Sequence, residues 1–151
     1  METSLSKIVK GYSPMQYWLF KSEPFKWSWD QQVEAGVDHW DGVRNYQAAN
    51  NMKAMEIGDR GFFYHSNEGK EIVGVVEVVK EYYPDHTDPK GKFGMVDVKA
   101  LHPLKTPVTL KQIKEDPALA EIALIKQSRL SVCPIREDEW KHICKLGGID
   151  P

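Results

Sequence analysis

The stretch RGFFYHSNEGKEIVGVVEVVKEYY, residues 60–83, decides the fold class. Two segments rich in valine, isoleucine and aromatic residues, 60–66 and 71–83, flank the polar sequence NEGK. Residues of these types favour strands, and a short polar segment with glycine favours a turn, so the pattern predicts a β-hairpin. The apolar runs are too short to cross a bilayer, which predicts a soluble protein rather than a membrane protein.

Further strand patterns lie on both sides of the hairpin. The aromatic segment QYWLFK, residues 16–21, predicts a first strand. In FGMVDVKAL, residues 93–101, valines alternate with charged residues, as in a half-buried strand. RLSVCPI, residues 129–135, predicts a short late strand, whereas AEIALIKQ, residues 120–127, is compatible with helix or coil.

Short helices are predicted from their capping residues. Ser28 and Gln31 have the spacing of a capping box, which predicts a helix at about 29–35. Asn45 and Thr109 are good N-caps for two further helices. A last helix is predicted at about 136–145, although Arg136 is a poor N-cap.

These elements give five or six strands with mostly local antiparallel connections and several short helices. Strands and helices do not alternate along the chain as a βαβ series requires. The pattern therefore predicts an α+β fold around a small, partly open β-barrel.

Composition indicates one globular domain. The chain has 151 residues, of which 41% are hydrophobic and 28% charged, and we expect a single domain at 15–151. Residues 1–14, METSLSKIVKGYSP, lack the apolar region of a secretory signal and are predicted to form a flexible leader. We therefore expect an intracellular protein, cytoplasmic or nuclear.

Charge and metal-ligand residues exclude some classes of function. The formal net charge of −2 argues against a protein that grips long duplexes non-specifically, so any nucleic-acid site should be compact. Cys133 and Cys144 form no metal-binding pattern and are predicted to be free thiols. The histidines show no paired spacing, so we expect neither a metal nor a cofactor; they are His39, His65, His86, His102 and His142.

The segment WDGVRNYQAANNMK, residues 40–53, combines groups that a nucleobase pocket needs. Trp40 offers a π surface, Asn45 an amide with donors and an acceptor, and Arg44 a guanidinium suited to phosphate. Gly42 would let a backbone come close. Two alternatives remain open: Trp40 could belong to the core, and Asn45 could only cap a helix.

Several blocks together resemble the EVE domain family: YWLFKSEP, WDGVRNYQAANNMK, IGDRGFFYHSN, IVGVVEVV and RLSVCPI. They extend in the family's order over most of the chain. The resemblance implies a PUA-like barrel related to the YTH, SRA and ASCH groups. It also implies recognition of a modified base, such as a modified cytosine, in DNA or RNA.

Other candidate residues lie at predicted strand ends. Glu23 could accept a hydrogen bond from a base amino group, or it could pair with Arg44 or Arg129. One of Trp27 and Trp29 should pack inward, and we favour Trp27 for the pocket. The full predicted set for the base is Ser22, Glu23, Trp27, Trp40, Val43, Asn45, Tyr64 and Ser66, and for phosphate it is Arg44, Arg129 and Lys21.

Two other functions remain open at this point. A hydrolase of acylated cytidine, as in ASCH relatives, could use Lys21 or Lys26 together with Glu23. A scaffold could instead bind protein partners through a tryptophan-rich face. His65, at a strand end, is predicted to be structural, and Phe62, Phe63 and Trp140 are predicted to be core.

Overall fold

The computed structural model describes residues 15–151, so the predicted leader at 1–14 lies outside it. Within this range the strands are β1 (Tyr17–Ser22), β2 (Val37–Trp40), β3 (Arg60–His65), β4 (Glu71–Pro84), β5 (Gly94–Thr109) and β6 (Val132–Ile135). The α-helices are α1 (Trp29–Ala35), α2 (Tyr46–Ala54), α3 (Leu110–Glu115), α4 (Ala123–Lys126) and α5 (Glu137–Leu146). A 3₁₀ turn, Pro117–Leu119, follows α3. No helix in 15–151 is long and apolar enough to span a bilayer.

The six strands form one mixed sheet in the order β2-β5-β4-β3-β1-β6. The predicted hairpin is confirmed, since β3 and β4 pair antiparallel across the turn. β1 pairs parallel with β3 and antiparallel with β6, so the first and last strands along the chain are neighbours in the sheet. The sheet is not closed into a barrel, and the architecture is the expected PUA-like α+β fold.

Each face of the sheet carries its own apolar core. Alternation along β1 sends Trp18 and Phe20 to one face and Leu19 to the other. On the second face the indole of Trp140, from α5, stacks on Phe62 with ring centroids 4.0 Å apart. The prediction that Phe62 and Trp140 belong to the core is confirmed.

The sheet curls strongly, which brings one edge back toward the other. Trp40 ends the edge strand β2, yet its ring lies 5.1 Å from that of Phe20 in β1 and 5.5 Å from that of Phe63 in β3. This curvature follows from the right-handed twist of sheets and from the irregular register between β4 and β5. The open sheet is therefore curved like part of a barrel wall, although its edges do not pair within the described part of the chain.

The capping residues start helices where the sequence predicted. Ser28 and Gln31 form the capping box of α1, and the side chain of Asn45 accepts from the main-chain nitrogen of Ala48. Thr109 caps α3. Two expectations needed correction: the strand predicted at 93–101 continues to Thr109, and β2 was not predicted at all.

Candidate functional site

A cleft of about 640 Å³ opens where several strands end, within the size range of small-molecule sites. Because β1 and β3 are parallel, their carboxyl ends meet, and the main-chain nitrogen of Ser66 donates to the carbonyl of Ser22 at 2.9 Å. The segment before β6 joins them, since the nitrogen of Lys21 donates to the carbonyl of Ser131 at 2.9 Å. The lining residues are Lys21, Ser22, Glu23, Lys26, Trp27, Asp38, His39, Trp40, Asp41, Gly42, Ser66, Asn67, Ser128, Arg129 and Ser131.

Trp27 and Trp29 point in different directions, as predicted. Trp29 is buried against Phe63, with ring centroids 5.4 Å apart. Trp27 lines the cleft, and its indole nitrogen donates to the Gln32 side chain at 2.8 Å. The hydroxyl of Ser22 donates to the carbonyl oxygen of Trp27, which fixes the turn that carries the half-buried indole.

Trp40 is both a core residue and a residue of the cleft wall. Only 8% of it is exposed, and it packs among core residues, yet it also lines the cleft. A ring held this tightly can present only part of its surface to a ligand. Its core role must therefore be considered whenever it is mutated.

Three cationic side chains line the cleft. Lys21 donates through its Nζ to the carbonyl of Ser128 at 2.7 Å, and partial burial lowers the pKa of Lys21. Lys26 lies 3.7 Å from the Glu23 carboxylate in an exposed ion pair, and within residues 15–151 Glu23 forms no ion pair with Arg44 or Arg129. Arg129 is exposed and lines both the cleft and an adjoining hollow of about 300 Å³.

The loop after β2 is fastened by a buried carboxylate. Asp85, only 3% exposed, accepts from the Gly42 nitrogen at 2.8 Å, from Arg44 at 3.0 Å and from Thr87. Burial alone would raise the pKa of Asp85, but the hydrogen bonds from Thr87, Gly42 and Arg44 hold that pKa below its ordinary range. Gly42 has φ +82° with open space where a Cβ would stand, so its conformation rather than a close approach requires glycine.

Four residues predicted for the site do not line the cleft. Arg44 pairs with Asp85, and Val43 is buried in the core. Asn45 caps α2 and lines only the adjoining hollow. Tyr64 is buried on the opposite face, because alternation in β3 sends Phe63 toward the cleft side and Tyr64 away from it.

The end of β3 contributes one structural and one cleft residue. His65 accepts from the main-chain nitrogen of Trp29 at 3.0 Å, and burial lowers its pKa, so its predicted structural role is confirmed. Ser66 follows the last residue of the strand and lines the cleft. Because it lies beyond the strand, the alternation that sends Tyr64 to the opposite face does not extend to Ser66.

The wall formed by β2 was missed. Asp38, His39 and Asp41 line the cleft, and among the strands of residues 15–151 β2 pairs only with β5. Val37–Trp40 is a four-residue edge strand in which only Trp40 is buried, so its sequence carries little alternation. A strong strand signal was absent because most of its side chains face solvent.

Comparisons with known proteins agree with this geometry. The EVE domain model matches residues 16–146. Thymocyte nuclear protein 1 of Mus musculus is 34% identical over 180 positions, covering 93% of this chain and 77% of that protein. A protein of Rhodopseudomonas palustris, solved by NMR, is 60% identical with a TM-score of 0.84, covering 89% of this chain and 94% of its own.

A further solved structure is human THYN1 in complex with DNA containing 5-methylcytosine. It is 33% identical to this chain with a TM-score of 0.82, and the match covers 90% of this chain and 99% of that one. The family match covers most of the chain, and the relatives share its fold. The chain therefore belongs to the EVE domain family.

Proposed function

We propose that this chain binds DNA carrying a modified cytosine and holds that base in the cleft. The proposal rests on the side chains that line the cleft. Two tryptophans, three cationic side chains and several hydrogen-bonding groups occur together there. The complex of human THYN1 with DNA containing 5-methylcytosine supports the choice of ligand. A net charge of −2 fits a compact base-reading site rather than a long basic track.

Trp27 supplies the main stacking surface. It is half-buried, its edge is held by Gln32, and its turn is held by Ser22, so little rotational freedom is lost when a base stacks on it. Stacking on one aromatic ring contributes on the order of 1–3 kcal/mol per base. Trp40 contributes the part of its ring that faces the cleft.

Glu23 and Ser66 read the edge of the base. A carboxylate is the natural acceptor for the exocyclic amino group of cytosine. The Glu23 carboxylate pairs with Lys26 at 3.7 Å in an exposed ion pair, and such a pair can be rearranged at little cost. Ser66 adds a hydroxyl that can donate or accept.

Arg129 and Lys21 hold the phosphates that flank the base. Arg129 is exposed between the cleft and the hollow lined by Asn45 and Gln47, so a strand leaving the cleft passes over it. Lys21 is anchored on the Ser128 carbonyl and presents a fixed charge. Asn45 then contacts a neighbouring nucleotide rather than the captured base.

The hydrolase alternative is not favoured. Of its candidate groups, Glu23 and Lys26 form an exposed ion pair with each other, and Lys21 donates through its Nζ to the Ser128 carbonyl. The human relative was solved in complex with DNA rather than with an acylated nucleoside.

Fluorescence anisotropy with labelled oligonucleotides tests the proposal. Plain, 5-methylcytosine and 5-hydroxymethylcytosine DNA would be titrated as single strands and duplexes, with RNA of the same sequence in parallel. We expect tighter binding of one modified DNA, and Trp27→Leu should weaken it about tenfold to a hundredfold. Glu23→Gln should reduce the preference for cytosine, whereas Glu34→Gln, on the exposed face of α1, should change nothing.

Two results would overturn the proposal. One is equal affinity for all oligonucleotides, unaffected by Trp27→Leu in a protein that circular dichroism shows to be folded. The other is binding to RNA alone, which would move the function to a different nucleic acid.

A further inference from the structure

Two histidines and a carboxylate meet at the mouth of the cleft. His39 is in β2, Asp41 follows this strand, and His86 lies in the loop after β4. One ligand atom from each, an imidazole nitrogen or a carboxylate oxygen, lies within 4.8 Å of the others, and all three residues are exposed. The sequence predicted no metal site because its histidines show no paired spacing, and His86 is far from His39 and Asp41 along the chain. The fold is what brings them together.

The three residues are held by a scaffold that does not depend on any ion. The buried carboxylate of Asp85 binds the nitrogen of Gly42, which is the neighbour of Asp41, at 2.8 Å. Asp85 is itself the neighbour of His86, so the two loops are fastened directly beneath the cluster. The rings of His39 and His86 pack edge to face with centroids 4.8 Å apart.

A carboxylate lies beside one imidazole of the cluster, close enough to orient it. Nδ1 of His39 lies 3.1 Å from the Asp38 carboxylate, while its Nε2 lies 3.9 Å from the Asp41 carboxylate. When Nδ1 donates to Asp38, the lone pair of Nε2 is left on the side of Asp41. A carboxylate behind the histidine fixes the ring and raises its basicity as a ligand.

We propose that His39, Asp41 and His86 bind a divalent transition-metal ion of the zinc type. Two imidazoles and a carboxylate are a ligand set that such ions accept, and three protein ligands leave a position open. Tetrahedral coordination at about 2.0–2.1 Å needs the ligand atoms roughly 3.3 Å apart, so modest rotation of exposed side chains closes the site.

An ion at this place would change the charge of the cleft wall. His39 and Asp41 also line the cleft, so a bound ion would lie at its wall. Asp38 and Asp41 make this wall acidic, and a bound cation would offset that charge where a phosphate approaches. The metal site itself does not depend on the proposed DNA ligand.

Calorimetric titration of the metal-free full chain with zinc chloride tests the proposal. We expect one Zn²⁺ per chain, and His39→Gln and His86→Gln should each weaken binding by more than about tenfold. Asp38→Asn should weaken it by a smaller factor, because Asp38 orients His39 without binding the ion. Titration with Co²⁺ gives a second readout, since its visible absorption reports the coordination.

His142→Gln is the matched control. His142 also contacts a carboxylate, that of Asp116 at 2.6 Å, but it belongs to no three-ligand group in the part of the chain that the structure describes. Both cysteines are buried, so they do not compete for the ion in the folded protein. The proposal is overturned if the wild type binds no Zn²⁺, or if the His39→Gln/His86→Gln double variant binds it as tightly.

Discussion

Oδ2 of Asp85 lies 3.0 Å from Nη1 of Arg44, and the carboxylate is fully buried while 39% of the arginine side chain is exposed. The pair joins the turn after β4 to the loop after β2. Arg44 was predicted to bind phosphate. In the structure it instead pairs with Asp85 and stabilises the loop, a role that requires no ligand. The loop in turn carries the residues that form one wall of the cleft.

Asp85→Ala should lower the free energy of unfolding by about 3 kcal/mol, since it removes a buried acceptor from several donors at once. Urea unfolding followed by circular dichroism measures this change. Glu34→Ala, an exposed carboxylate on α1, is the control and should stay within about 0.5 kcal/mol of the wild type. A similarly small effect for Asp85→Ala would contradict the anchoring role.

The same carboxylate predicts a pH dependence. The pKa of Asp85 is lowered in the folded state, so its stabilisation is complete above the unfolded pKa of about 3.9 and is lost as the pH falls through the folded pKa. Between about pH 4 and pH 2 the wild type should therefore lose stability more steeply than Asp85→Asn, which cannot ionise. Parallel slopes for the two proteins in acid would show that Asp85 is not responsible.

The two cleft tryptophans should differ in what they do for stability. Trp40→Ala removes a core ring packed on Phe20 and Phe63 and should cost about 3–5 kcal/mol. Trp27→Leu, at a half-buried position, should cost less than about 1.5 kcal/mol. Thermal and urea unfolding would measure both, and equal losses would mean that Trp27 is a core residue too.

Arg129→Ala should weaken DNA binding equally for modified and plain oligonucleotides. A single phosphate contact contributes about 0.7–0.9 to the slope of log affinity against log salt concentration, so the variant should lose about that much. Lys111→Ala is the control, because Lys111 lines a separate hollow. If Arg129→Ala instead changed the preference among bases and left the slope intact, Arg129 would be reading the base.

The local signals in the sequence were sufficient for much of the fold. Ser28, Asn45 and Thr109 are capping residues whose chemistry acts within a few positions, and each starts a helix in the structure. The hairpin of β3 and β4 was predictable for the same reason, because its turn and its two strands are adjacent in the sequence. The parallel pairing of β1 with β3 was not predictable in this way, because it joins strands separated by two helices and β2.

The cleft was only partly predictable for the same reason. Ser22, Glu23 and Ser66 could be placed because they lie at or just after strand ends that the pattern located. Arg44 and Tyr64 were misplaced, because one has a distant partner in Asp85 and the other follows the alternation of β3 into the opposite core. Neither the partner nor the register is visible in a single stretch of sequence.

The pairing of β1 with β6 has a consequence for synthesis. During translation the first strand leaves the ribosome long before Val132–Ile135, the segment that covers its outer edge. Until then, the unpaired N–H and C=O groups of that edge are a template on which other nascent chains can add a strand. A ribosome that stalls before β6 is synthesised therefore holds a nascent chain that is prone to associate with others. Pairing of β6 with β1 covers the exposed edge and removes this tendency.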